Sequence, residues 1–184
     1  MTPEYQKMIS GEAYLSADPE LVQMRLQARL ITERYNATSA SDVEHRSRIL
    51  RELFGEVGEG AFIEPNFRCD YGRNIRIGKQ FYANFDCVIL DVAPVTIGDN
   101  CFFGPQVGVY TASHPLDPAE RASGREFGYK VAIGNDCWIG GHATINPGVT
   151  LGNGVVVASG AVVTKSFGDR VVLAGVPARI VKTI

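Results

Sequence analysis

Residues 133–163 read IGNDCWIGGHATINPGVTLGNGVVVASGAVV, and every sixth position is aliphatic: Ile133, Ile139, Ile145, Leu151, Val157 and Val163. Neither the 3.6-residue period of a helix nor the two-residue period of a strand places apolar residues at multiples of six. A six-residue repeat marks a β-helix, in which each hexapeptide supplies one short strand and one bend. The residue after each aliphatic is small or polar, as a turn needs: Gly134, Gly140, Asn146, Gly152, Ala158 and Thr164. The fifth positions, Cys137, Ala143, Val149, Val155, Ala161 and Phe167, are mostly small. Three hexapeptides close one triangular coil, and successive coils stack ~4.8 Å apart through parallel ladders. That stacking puts Ile133 under Leu151, Ile139 under Val157 and Ile145 under Val163, a continuous apolar column that no single repeat could bury alone.

Read toward the N-terminus, the register continues through Val109, Phe103 and Ile97, then Ile89, Ala83 and Ile77, and more weakly through Cys69 and Ile63. It is interrupted three times. Ile89 to Ile97 and Cys69 to Ile77 each span eight residues instead of six, and Val109 to Ile133 spans twenty-four. About one coil's worth of chain therefore leaves the wall over residues 111–130. A long loop inside a compact repeat is uncommon and is usually functional.

The chain has 184 residues and a formal net charge of −2, with no long run of Lys or Arg, which argues against a nucleic-acid partner. No stretch of about eighteen apolar residues is present, and the first residues lack the charged-then-apolar order of a signal peptide, so a soluble cytoplasmic protein with no membrane partner is expected. The four cysteines (Cys69, Cys87, Cys101, Cys137) are widely spaced without Cys-x-x-Cys and read as small buried hydrophobes, not as a metal cluster or disulfide framework. No metal is expected. Gly152-Asn-Gly154 does not open a helix and is no phosphate-binding loop.

Residues 1–57 differ in composition from the repeat that fills 58–184. Thr2-Pro3-Glu4 has the N-cap, N1 proline and acidic first turn of a short helix, which Gly11 would stop. Asp18-Pro19-Glu20 starts a second, amphipathic helix to about Tyr35. Ser41-x-x-Glu44 reads as a capping box for a third, carrying Val43, Leu50, Leu53 and Phe54 up to Gly55. These helices are expected to pack on the first coil and shield its open edge.

Three stretches carry a family resemblance: Phe81-Tyr-Ala-Asn-Phe-Asp86, Thr111-Ala-Ser-His-Pro-Leu-Asp117 and Trp138-Ile-Gly-Gly-His-Ala-Thr-Ile-Asn-Pro-Gly-Val149. With the start Met8-Ile-Ser-Gly-Glu-Ala-Tyr14 and the ending Ala174-Gly-Val-Pro-Ala-Arg179, nearly the whole chain resembles the sugar O-acetyltransferases of the left-handed β-helix superfamily. It is most similar to the maltose O-acetyltransferases, with galactoside and nodulation acetyltransferases next. The resemblance implies left-handed coil connections, an exception to the usual right-handed crossover. It also implies acetyl-CoA as co-substrate, a sugar acceptor with a primary 6-hydroxyl, and a homotrimer whose sites lie between subunits.

Acetyl transfer from a thioester to a sugar hydroxyl needs a base for the hydroxyl proton, a donor for the tetrahedral oxyanion and a groove for a long cofactor. Histidine, with a free pKa nearest neutrality, suits the first task. The chain has three: His45 in the third helix, where a solvated face is expected; His142, expected at a coil corner; and His114, which leaves the wall where the loop begins. The match on Thr-Ala-Ser-His-Pro selects His114 as general base, and Glu126, later in the loop, is the candidate for fixing its tautomer. By the same resemblance Asn84 lies beside the thioester, donating to the oxyanion or holding the acceptor, and Ser16, Asp70, Tyr82 and Asp91 line the acceptor pocket. The galactoside enzymes carry serine where Asp70 stands, a second acid where Val92 stands and an aspartate where Ser16 stands, which favours a maltose- or glucose-type acceptor. Family matches place Gly141, Ser159, Gly160, Thr164 and Lys165 along the cofactor groove with Trp138 nearby. Arg179 and Lys182, from a cationic C-terminus, are the candidates for CoA phosphate contacts.

Three other readings fit the sequence less well. A metal-dependent enzyme on the same fold needs three wall histidines, and only His114 and His142 remain outside the helices. A xenobiotic acetyltransferase would use the same base and cofactor, but the N-terminal helices and Phe-Tyr-Ala-Asn speak against it. A non-catalytic trimeric scaffold would have no reason to keep His114, Asn84 and a complete loop.

Overall fold

The computed structural model describes residues 2–184. The repeat forms a left-handed parallel β-helix of about six turns, built from short strands on three faces. On the first face Val57, Ile77, Ile97, Ile133 and Leu151 stack in register. On the second Ile63, Ala83, Phe103, Ile139 and Val157 do so, followed by Leu173. The third face stacks Cys69, Ile89, Val109, Ile145 and Val163. All three expected pairs across the last coils are therefore observed. The columns point inward and, with the small fifth positions, form one core in which most members have essentially no exposure. Each aliphatic so buried contributes about 1.5–3 kcal/mol relative to exposure. The four cysteines are free and buried in this core or at its edge.

The three interruptions of the register all fall at one corner, between the third face and the first. Residues 70–74, 91–94 and 111–130 leave the wall there in successive coils, while the two flanking columns keep their pairing. The corner is held from inside. Thr111, fully buried, donates its hydroxyl to the Leu90 carbonyl at 2.7 Å and accepts the Ala93 N–H at 2.9 Å. The Tyr129 N–H returns to the Thr111 carbonyl at 2.8 Å and closes the long loop at its base.

Three helices precede the wall: α1 (Pro3–Ser10), α2 (Pro19–Asn36) and α3 (Val43–Leu53). The first two start and stop as the sequence implies, with Thr2 and Asp18 as N-caps and Gly11, at φ 87°, ending α1. The third differs. Its N-cap is Asp42, whose carboxylate accepts the His45 N–H at 3.1 Å, while the Ser41 hydroxyl pairs with Ser39. A charged cap next to the helix dipole replaces the expected Ser41–Glu44 capping box. Tyr35 and Phe54 enter the main core, where Phe54 meets Phe67 edge-on at 5.5 Å, so α2 and α3 cover the open end of the first coil as expected. The wall itself opens at Glu56–Val57, which already pairs with Arg76–Ile77, two residues before the boundary drawn from composition.

The long loop is more ordered than its composition suggests. Ala112–Ser113 pairs antiparallel with Phe127–Gly128, and Arg125–Glu126 pairs in turn with Tyr14–Leu15 of the N-terminal segment. A short helix, Pro118–Ala122, caps the excursion. The N-terminal segment therefore does two jobs: it closes the first coil and forms one wall of the loop.

Candidate active site

His114 follows directly on the strand Ala112–Ser113 and projects, exposed, from the loop. Among the described residues it makes no hydrogen bond, so its ring nitrogens are open to a ligand. It borders a cavity of about 270 Å³ whose other polar walls are Ser16, Arg25, Arg29, Asp70, Tyr71 and Glu126. Four predicted residues thus meet in one place: His114, Glu126, Asp70 and Ser16.

Strand pairing explains the position of Glu126. It lies directly opposite Tyr14, and the Tyr14 hydroxyl, in a side chain only 1 % exposed, donates to Glu126 Oε2 at 2.7 Å. Burial and the adjoining carboxylate push the Tyr14 phenol far above its ordinary range, so it is a permanent donor. One carboxylate oxygen is therefore fixed, and the other has no hydrogen-bond partner among the described residues. No hydrogen bond joins Glu126 to His114 in this chain. Tyr14→Phe is expected to lower stability by about 1.5–3 kcal/mol, the range for a hydrogen bond to a charged group, as read from a denaturant melt.

Asp70 is half-buried. Desolvation raises its carboxyl above the usual range, partly offset by the nearby Arg25 and Arg29. Arg25 is itself fixed, donating to the Tyr71 hydroxyl at 2.6 Å and to the Ser16 carbonyl at 2.7 Å, which ties the N-terminal segment to the cavity. Arg25, Arg29 and Tyr14 were not anticipated. The first two stand four apart on α2 and so share a face, a signal that carries no meaning until the helix is placed over the corner.

Asp91 requires a correction. Its side chain has no exposure and cannot line an acceptor pocket. Its carboxylate accepts backbone N–H groups from Asp70 (3.0 Å), Tyr71 (2.9 Å) and Asn74 (3.3 Å), and its carbonyl accepts the Asn74 side chain at 2.7 Å. Asn74 in turn accepts the Tyr5 hydroxyl of α1 at 3.1 Å. Asp91 therefore shapes the corner from behind. Tyr82 also lies away from this cavity: it is on the second face, stacked on Phe62 at 6.3 Å.

The remaining predicted residues occupy three other places. Asn84 stands at the corner between the second and third faces. Its Oδ1 accepts the Phe85 N–H at 2.7 Å, and among the described residues its amide N–H groups have no hydrogen-bond partner. Directly along the same edge lie Gly141, Ser159 and Gly160, in turns stacked so closely that a Cβ on Gly140 would meet the Ser159 nitrogen at 2.6 Å. The Gly160 N–H donates to the Gly141 carbonyl at 2.9 Å, and Gly160, at φ 72°, has open space above it. Trp138, 58 % exposed, flanks this edge on the second face. Thr164 and Lys165 instead follow Val162–Val163, at the far corner of the third face, the side from which His114 departs. Arg179 and Lys182 lie on the exposed strand Arg179–Thr183, antiparallel to Val171–Ala174.

Strands on the third face, such as Val88–Leu90, thus begin at the Asn84 edge and end at the His114 edge. A three-residue strand, roughly 10 Å, separates the His114 edge from the Asn84 edge within one chain. Among the described residues no group of three or more His, Cys, Asp or Glu could hold a metal ion, and no helix is long and apolar enough to cross a membrane.

Comparison with known proteins bears on the same regions. Residues 7–58 match the maltose acetyltransferase hexapeptide capping motif, residues 94–110 the hexapeptide repeat of succinyl-transferase, and residues 130–165 the bacterial transferase hexapeptide (six repeats). Nodulation protein L of Rhizobium meliloti is 54 % identical over 95 % of this chain and 96 % of its own length. The crystal structure of a maltose O-acetyltransferase from Clostridium difficile is 45 % identical and superposes with a TM-score of 0.98 over 100 % of this chain and 98 % of that one. A galactoside acetyltransferase in complex with coenzyme A is 38 % identical, with a TM-score of 0.95 over 100 % and 92 % of the two chains.

Proposed function

Because the chain belongs to the maltose and galactoside O-acetyltransferase family, we propose that it moves the acetyl group of acetyl-CoA to a sugar hydroxyl, with His114 as base. The reading is carried by the cavity in which an unpartnered His114 faces Asp70, Ser16 and Glu126. His114 removes the proton of the acceptor hydroxyl as its oxygen attacks the thioester carbonyl. The carbon–sulfur bond then breaks and the proton passes to the departing thiolate. Glu126, held by Tyr14 in the same cavity, is placed to accept from the other ring nitrogen once the acceptor is bound, which would keep the imidazole in the tautomer that can take a proton. The unpartnered amide of Asn84 donates to the oxyanion. Ser16, Asp70 and Tyr82 contact the acceptor, a maltose- or glucose-type sugar reacting at its 6-hydroxyl. The cofactor arm runs past Trp138, Gly141, Ser159 and Gly160, with Thr164, Lys165, Arg179 and Lys182 toward its phosphates.

Because the His114 and Asn84 edges of one chain face different ways, the reading requires two chains per site, and a homotrimer supplies three such sites by one repeated contact. Free-thiol release from acetyl-CoA against a panel of sugars tests the activity. The shared site has its own test. His114→Ala and Asn84→Ala chains, each inactive alone, are expected to recover about a quarter of wild-type activity when unfolded together and reassembled in equal amounts, because that fraction of random contacts joins two intact edges. Absence of any recovery would place both residues in one chain's site.

A further inference from the structure

A second cavity, of about 330 Å³, adjoins the one beside His114 and shares Arg29, Asp70 and Leu90 with it. It lies between α2 and the third-face strands Arg68–Cys69 and Val88–Leu90. The three shared walls, Asp70 among them, make the two cavities direct neighbours. Each is of the size that holds a small ligand or one unit of a larger one.

The lining has a distinct chemistry. Thr32 and Asn36, at the back, are already satisfied: Thr32 donates to the Ala28 carbonyl at 2.6 Å, and Asn36 exchanges two hydrogen bonds of 2.9 Å with the backbone of Phe67. Four charged side chains remain, Arg29, Glu33, Arg68 and Asp70. Among the described residues none of the four makes an ion pair or a side-chain hydrogen bond. Arg25, one turn from Arg29, is by contrast fully engaged. Two cations and two anions offer donors and acceptors in equal supply, and Val88 and Leu90 add a half-buried apolar strip. Such a surface suits a neutral ring that carries hydroxyls on its rim and C–H groups on its face. A phosphate or carboxylate would gain from the arginines but be repelled by Glu33 and Asp70.

We propose that this groove is a second acceptor subsite, which holds the neighbouring unit of an oligosaccharide whose reacting unit lies beside His114. The proposal rests on the sugar-acetyltransferase reading above and adds a preference for acceptors longer than one unit.

Thiol-release kinetics with glucose, maltose, maltotriose and cellobiose test it, with wild type beside Arg68→Ala and Glu33→Ala, both exposed residues outside the chemistry. For wild type, kcat/KM is expected to rise about tenfold from glucose to the better disaccharide, the scale of one or two hydrogen bonds to charged groups. Each variant should lose most of that gain through KM while its rate with glucose stays at the wild-type value. Equal kcat/KM for glucose and both disaccharides in wild type would overturn the subsite and leave the transferase reading intact. So would a variant that loses equally on glucose and disaccharide. Failure of every sugar to release thiol would overturn both.

Discussion

His114→Ala is expected to lower kcat for acetyl transfer by about 10²–10⁴-fold, the contribution of a positioned general base, with the melting temperature unchanged. Both halves of that expectation follow from the same geometry. The imidazole is exposed and makes no hydrogen bond among the described residues, so removing it takes away no packing and strands no polar partner. It borders a cavity where the loop, the N-terminal segment and the corner of the wall converge, and no second imidazole lines that cavity to take over. His45→Ala, on the solvent face of α3, serves as the control and should be indistinguishable from wild type in rate. Wild-type turnover by His114→Ala would refute the base assignment. A loss of rate with a lowered melting temperature would point to a structural part for the residue.

The largest loss of stability is expected at Asp91. Its carboxylate accepts three buried backbone N–H groups, from Asp70, Tyr71 and Asn74. Asp91→Ala would leave all three without an acceptor, at about 1–3 kcal/mol each, and a net cost of about 3–5 kcal/mol allows for partial relaxation. Because Asn74 also holds Tyr5, the damage would spread to α1 and from there to the pairing of Tyr14 with Glu126. Urea unfolding of the variant measures the cost, and a change below about 1 kcal/mol would show that water or a neighbouring group replaces the carboxylate. A pH dependence accompanies it. Burial pushes Asp91 up to about 7 although the backbone donors pull the other way. Between the ordinary carboxyl range and that value the folded chain holds a proton that the unfolded chain has released. This group's contribution is therefore complete in acid and fades as pH rises toward 7. In Asp91→Asn that slope should vanish, a difference visible in urea midpoints taken from pH 4 to 8.

The wall was legible to the residue. Ile133 over Leu151 and Ile139 over Val157 follow from period six alone, because a slip of one position would turn every aliphatic outward. The interruption after Val109 was legible too, as a break in that period. What lay inside it was not. The antiparallel pairing of Tyr14 with Glu126 joins residues more than a hundred apart, and neither stretch has a pattern that names the other. Asp91 shows the opposite failure. An acid in a corner segment looks like a ligand-facing residue, and only the count of backbone N–H groups aimed at it reveals a buried acceptor. Likewise Arg25 and Arg29 look like an ordinary solvated helix face until α2 is laid across the cavity. The family motifs supplied chemical roles, but they could not say that the His114 and Asn84 edges of one chain are divided by the breadth of a face.

All departures from the six-residue period occur at a single corner, one above another, while the ladders on both sides stay in register. That corner behaves as an insertion locus. Segments of two, or of eighteen, extra residues are accommodated there without shifting a single core position, because the next strand re-enters the same ladder. Relatives can thus exchange whole corner segments as cassettes and change what they recognise while keeping the scaffold constant. Because Ser16, Arg25 and Arg29 complete the cavity from the N-terminal segment, a graft of residues 70–74, 91–94 and 111–130 onto another coil stack would need that segment with it.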